Sequence, residues 1–254
     1  MTAPGEKAFQ IWKRARRWIT RRLDAMYSGS VQRFEREPMR NSGVIFSHYT
    51  PPPGKLTLLV LGNGRGGTSM VSGVLHYLGV FMGDDCTDPS YEDQRLTRCV
   101  VHFNARGARA VIDEYSGRYA VWGYKHPQAL NFIIRRIRWF RNPRLVIVMK
   151  DVASIAVRHH LILEHDPVRV MDRMLGFYRT MVKFANRSKL PALIVSYEKA
   201  MSDPPAFIKT LCAYAGISPA TDQVDAALRF MEADSREYRK FSRRKQRRMQ
   251  NARY

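Results

Sequence analysis

The sequence predicts an α/β fold, with a mainly parallel sheet of four or five strands and helices on both faces. Three observations carry this. Four short apolar runs, residues 56–61, 119–124, 144–150 and 192–197, have the length of buried strands. Helix-length segments separate them, with apolar residues every three or four positions, and that alternation favours parallel pairing. A glycine-rich turn directly follows the first run and leads into an amphipathic segment.

Taken in order, residues 1–40 read as a basic helical extension. Within it, Phe9, Ile11, Trp12, Ala15, Trp18, Ile19, Leu23, Met26 and Tyr27 recur at helical spacing over residues 6–29, and Arg14, Arg16, Arg17, Arg21 and Arg22 fill much of the rest. Such a helix can lie in the headgroup layer of an anionic membrane, or pack on the domain with its arginines solvated. Residues 41–55, with three consecutive prolines and no period, are expected to be a linker. Residues 56–220 form the expected catalytic domain, in which one helix is expected from near Glu92 to about Tyr115, and 221–254 a basic helical tail.

The organising stretch is Leu56 to Gly79. Leu56, Leu58, Leu59, Val60 and Leu61 make the strand, glycines 62, 64, 66 and 67 the turn, and Thr68-Ser69 the start of a helix. Strand, glycine loop and helix aim several backbone N–H groups and the positive end of a helix dipole at one anion. Gly62 and Gly67 have the spacing of a nucleotide P-loop, G-x-x-x-x-G-K-S/T, but Thr68 stands where that motif has its lysine. The cation lies inside the loop instead, as Arg65. One tightly wrapped anionic group suits this loop better than a magnesium-bound triphosphate.

At Arg65-Gly66-Gly67-Thr68-Ser69 the chain resembles the sulfotransferases that use 3′-phosphoadenosine 5′-phosphosulfate (PAPS), whose phosphosulfate loop reads Arg/Lys, Ser/Gly, Gly, Thr, Ser/Thr. The run GRGGTSMVSGVLHYLGVFMG followed by Tyr91-Glu92-Asp93 is most similar to the bacterial branch of these P-loop enzymes. The resemblance recurs at Trp122-Gly123-Tyr124-Lys125-His126-Pro127, and at Tyr197-Glu198, where the family's tyrosine lies near the adenine. At Lys150 and Arg158 the chain departs from the family's arginine and serine, which hold the 3′-phosphate. A lysine grips phosphate as a point charge rather than a planar fork.

The resemblance implies sulfuryl transfer from PAPS to a hydroxyl, on a carbohydrate or glycolipid. It implies that Arg65, Gly66, Gly67, Thr68, Ser69, Lys150, Arg158 and Tyr197 bind the donor. Arg65 and Lys125 stabilise the leaving phosphate, and Glu92 or His126 acts as the base. No metal is expected. His159-His160 and His165 are read as a helix face. A P-loop kinase for a small molecule and a non-catalytic polyanion-binding module are the competing readings.

Composition sets the outer bounds. The chain has 254 residues and a net charge of +21, which suits anionic partners. Residues 1–50 carry ten Lys/Arg against four acids and residues 229–254 ten against three. No helix-turn-helix, zinc-finger or RNA-recognition signature accompanies this charge, so nucleic acid is not the expected partner. Three cysteines without paired spacing, and an N-terminus without an apolar signal core, make the cytoplasm the expected compartment.

Overall fold

The computed structural model describes residues 43–84, 86 and 90–233. The basic helix expected at 6–29 and the tail beyond 233 lie outside these residues.

Among the described residues five strands form one sheet: β1 (Val44–Ser47), β2 (Leu56–Gly62), β3 (Val121–Lys125), β4 (Pro143–Met149) and β5 (Ala192–Ser196), in the order β1-β5-β4-β2-β3. All pairings are parallel except the antiparallel edge pair β1–β5. Helices cover both faces, as the α/β alternation predicts. The period-2 geometry of strands divides the core accordingly. Leu56, Leu58 and Val60 point with Val146, Val148, Leu193 and Val195 into one apolar cluster. Leu59 and Leu61 point with Tyr124, Leu145 and Ile147 into the other.

The first cluster is closed by helix α1 (Thr68–Tyr77) and by α8 (Pro204–Ala215). The second is closed by α2 (Gln94–Val101), α3 (Ala105–Arg118), α4 (Leu130–Arg136) and α6 (Pro167–Ser188). Between β4 and α6 runs α5 (Val152–Leu163), and α7 (Tyr197–Ser202) follows β5.

The structure departs from the sequence reading in three places. Within residues 41–55, Val44–Ser47 is a strand, because Val44 and Phe46 pack against the core while Ile45 faces solvent. The following prolines are tied down by Arg144, whose buried guanidinium donates to the Thr50 carbonyl at 2.8 Å and lies 4.5 Å from the centre of the Tyr214 ring. The single helix expected from Glu92 to Tyr115 is two helices. Phe103 takes a left-handed φ of 55°, and Asn104 then caps α3 by accepting from the Gly107 amide at 2.8 Å. Residues 221–233 are helical, and Ala227 and Met231 are fully buried against the first cluster, so packed structure reaches into the segment read as a tail.

Candidate active site

β2 lies between β3 and β4, so the chain leaves it toward one neighbour and then crosses to the other. Ligand crevices in open α/β sheets form at the carboxyl ends of strands at such a reversal. Here that position holds the glycine loop at the end of β2, Lys125 at the end of β3, Lys150 after β4 and Tyr197 after β5.

The loop's backbone explains its glycines. Gly66 donates to the Asn63 carbonyl at 2.9 Å, and a Cβ on Gly66 would sit 2.8 Å from that oxygen. Gly67 has a φ of 85°, and a Cβ there would run into the Tyr197 ring. Both are positions for glycine alone. Gly67 precedes the first turn of α1, where Thr68 and Ser69 present the helix's free N–H groups. Asn63, almost fully buried, anchors the loop by donating to the Met174 carbonyl on α6 at 3.4 Å.

Lys125 is the charged centre on the β3 side. Its side chain is 3 % exposed. Its ammonium donates to Glu92 Oε1 at 2.7 Å, to the Ser90 carbonyl at 2.9 Å and to Ser69 Oγ at 3.1 Å. Burial pushes its pKa down, and the Glu92 carboxylate opposes that shift. The second oxygen of Glu92 faces His126 Nε2 at 3.8 Å. Burial holds the imidazole below its ordinary value, Glu92 pulls it back up, and Lys125 lowers it further. His126 Nδ1 is buried without a hydrogen-bond partner among the described residues.

Glu92 is carried to Lys125 by the start of α2. Asp93, next in the chain and buried, caps that helix by accepting from Arg95 N at 3.0 Å and Leu96 N at 3.3 Å. The two adjacent acids therefore have different tasks. Asp93 holds the helix, and Glu92 pairs with Lys125. Cys86 is near the same group, and burial raises its thiol pKa to about 11.

On the β4 side, the Lys150 ammonium lies 4.0 Å from the centre of the Tyr197 ring. That ring also borders Gly67, which joins Lys150 to the loop. The Tyr178 hydroxyl fixes the strand tip, accepting from Lys150 N and donating to Lys150 O, each at 2.7 Å. Asp151 caps α5 by accepting from Ser154 N at 2.7 Å.

Arg65 keeps different company from Lys125. It has a left-handed φ of 66°. Its charge, with those of Arg173 and His165, depresses the pKa of His159, although burial is the largest cause and the Gly64 backbone opposes it. The His159 ring stacks on His165, with ring centres 5.9 Å apart. Arg158 is half-buried on α5, beside His159 in sequence.

The structure thus groups Ser69, Glu92, Lys125 and His126 in one cluster and Gly67, Lys150 and Tyr197 in another, with Thr68 between Gly67 and Ser69 in the chain. Asn63, Tyr178 and His159 were not foreseen as parts of this site. Tyr178 reads in sequence as one more member of an apolar stripe, and nothing local reveals that its hydroxyl binds a strand tip. Among the described residues no group of three or more His, Cys, Asp or Glu side chains is arranged to hold a metal ion.

No family model matches the chain, and no curated protein matches it in sequence. Among solved structures, it is similar to the sulfotransferase domain of the Synechococcus PCC 7002 olefin synthase, with 14% identity and a TM-score of 0.48 over 70% of this chain and 78% of that one. It is also similar to sulfotransferase STF9 from Mycobacterium avium, with 15% identity and a TM-score of 0.44 over 71% and 68%. A third similar structure is a retinol dehydratase in complex with retinol and PAP, with 13% identity and a TM-score of 0.39 over 72% and 65%.

Proposed function

We propose that this chain is a PAPS-dependent sulfotransferase acting on a hydroxyl, with a carbohydrate or glycolipid as the acceptor class. The observation that carries this reading is the buried Lys125 ammonium, held between Ser69 of the glycine loop at 3.1 Å and the Glu92 carboxylate at 2.7 Å. A cation at the edge of an anion-binding loop, with a carboxylate on the same nitrogen, is suited to moving an anionic group onto a hydroxyl.

The residues fit the donor's two anionic ends. The Gly66–Ser69 amides, the Thr68 and Ser69 hydroxyls and Arg65 suit a 5′-phosphosulfate, with Gly66 and Gly67 leaving the backbone free to approach it. Lys150 and Arg158 suit the 3′-phosphate, and the Tyr197 ring suits the adenine. PAPS supplies an activated sulfuryl group on a phosphate leaving group. The acceptor oxygen forms the new O–S bond as the bond from sulfur to the bridging phosphate oxygen breaks, giving a sulfate ester and 3′-phosphoadenosine 5′-phosphate (PAP).

Lys125 and Arg65 oppose the negative charge that grows on the departing oxygen, in a pocket where low dielectric strengthens their effect. The acceptor proton passes to Glu92 or to His126, which face each other at 3.8 Å. The basic pattern of residues 6–29 supports contact with an anionic membrane, where lipid-borne glycans would be within reach.

Calorimetric titration of the full chain with PAP, with Mg-ATP and with a DNA oligomer tests the reading. Saturable binding of PAP alone supports it. Preference for Mg-ATP would establish a kinase in its place, and salt-sensitive binding of DNA without nucleotide affinity would establish a polyanion-binding module. Anionic vesicles that fail to sediment the full chain would remove the membrane contact.

A further inference from the structure

Away from the loop, a groove of ≈ 340 Å³ lies between the end of α2, the α2–α3 link and α4. Its apolar lining includes Val101, Phe103 and Phe132, Gln128 lies at one side, and Arg135 and Arg136 supply the charge. No Asp or Glu belongs to its walls among the described residues. Pockets that take small organic molecules have a volume of about 300–1,000 Å³ and this mixture of apolar wall and few polar groups.

Phe103 is the telling residue. It is 93% exposed, and its backbone holds a left-handed φ of 55°, a conformation that bulky residues rarely adopt. The Phe103 N–H donates to the Val100 carbonyl at 3.3 Å and the next amide, Asn104 N, to Cys99 O at 2.8 Å, so the turn is secured from both sides. Val101, beside it, is 44% exposed. These two bonds are the usual closure of a helix C-terminus and account for the left-handed φ; what they do not account for is the pair of apolar side chains, Val101 and Phe103, left open to water side by side.

Two elements run between the groove and the Lys125 cluster. Gln128 follows His126 by two residues, in the turn after β3. Helix α2 has Glu92 just before its first turn and Val101 as its last residue, a separation of about 13.5 Å at 1.5 Å per residue.

We propose that this groove is the distal acceptor subsite, taking the apolar body of an elongated hydroxylated amphiphile whose anionic group meets Arg135 and Arg136. This rests on the sulfotransferase reading. The acceptor places its hydroxyl at Glu92 and His126, runs along α2 and buries its apolar part against Val101, Phe103 and Phe132. A compact monosaccharide is too short to use both places.

The test uses the full chain with PAP bound, and ω-hydroxydodecanoate as the probe, because it carries a hydroxyl and a carboxylate at opposite ends of an apolar chain. Its methyl ester is the uncharged comparator. Calorimetry is expected to show tighter binding of the carboxylate than of the ester. Val101→Asp with Phe103→Ser weakens both by about tenfold, as loss of apolar burial requires. Arg135→Gln with Arg136→Gln weakens the carboxylate alone, by about fivefold. All four side chains are exposed or nearly half-exposed, so the fold is not at stake, and PAP affinity stays within about twofold of the parent.

Unchanged amphiphile binding in both double variants, with PAP binding intact, overturns the proposal. Groove-dependent amphiphile binding in a chain that does not bind PAP overturns the subsite's role in sulfuryl transfer and identifies the failure as that of the parent reading.

Discussion

Lys125 Nζ and Glu92 Oε1 are 2.7 Å apart, with the lysine side chain 3 % and the glutamate 18 % exposed. An ion pair so little hydrated is worth little compared with an apolar pair, yet either charge left alone is costly. Lys125→Met should therefore destabilise the protein by about 3 kcal/mol. Adding Glu92→Gln should recover at least about 1 kcal/mol of that loss. Urea unfolding of the two single variants and the double variant checks this, and additive losses would mean that the pair is not coupled.

The two clusters around the glycine loop predict opposite outcomes for two of its glycines. Gly67→Ala places a methyl group against the Tyr197 ring at a φ of 85°, which should cost about 1–3 kcal/mol and abolish PAP binding. Gly64→Ala meets nothing within 4 Å and has no left-handed φ, so its stability should match the parent within about 0.5 kcal/mol. Thermal melts of both, with and without PAP, decide the point.

Lys150 offers a gain-of-function test. Lys150→Arg replaces a point charge by a planar fork. It should tighten PAP by about threefold or more while leaving adenosine 5′-phosphate, which lacks the 3′-phosphate, unchanged. Lys150→Met should narrow the difference between the two nucleotides, leaving the share that Arg158 supplies. Equal effects on both would place the 3′-phosphate elsewhere.

Acid stability follows from two histidines whose folded-state pKa values are held below the ordinary 6.5, His126 and His159, in each case chiefly by burial. The unfolded chain then binds more protons than the folded one between those lowered values and 6.5. Stability is full above 6.5 and falls as pH drops through that window. His126→Asn and His159→Asn should each flatten the slope of stability against pH below 6.5, and the double variant should flatten it further. Urea midpoints from pH 7 to pH 5 measure the slope, and an unchanged slope in the double variant would show that neither histidine sets it.

The strands, the glycine loop and the helix after it could be read along the chain because each is encoded within a few residues. Alternation in Leu56–Leu61 sets two buried faces, and Gly66 is crowded by the Asn63 carbonyl three residues before it, whereas the crowding at Gly67 comes from the distant Tyr197 ring. Lys125 and Lys150 were also legible as strand-tip cations, since each follows an apolar run directly. Side-chain partnerships across the sheet were not. That Lys125 pairs with Glu92, that Arg65 sits by His159, and that Tyr178 binds the tip of β4 all depend on strand order and helix placement. Those are set by packing between segments dozens of residues apart. The edge strand Val44–Ser47 was hidden for the same reason, because four residues with one exposed isoleucine become a strand only beside β5. The break at Phe103 is likewise a tertiary result, made by two helices that must turn to cover one face of the sheet.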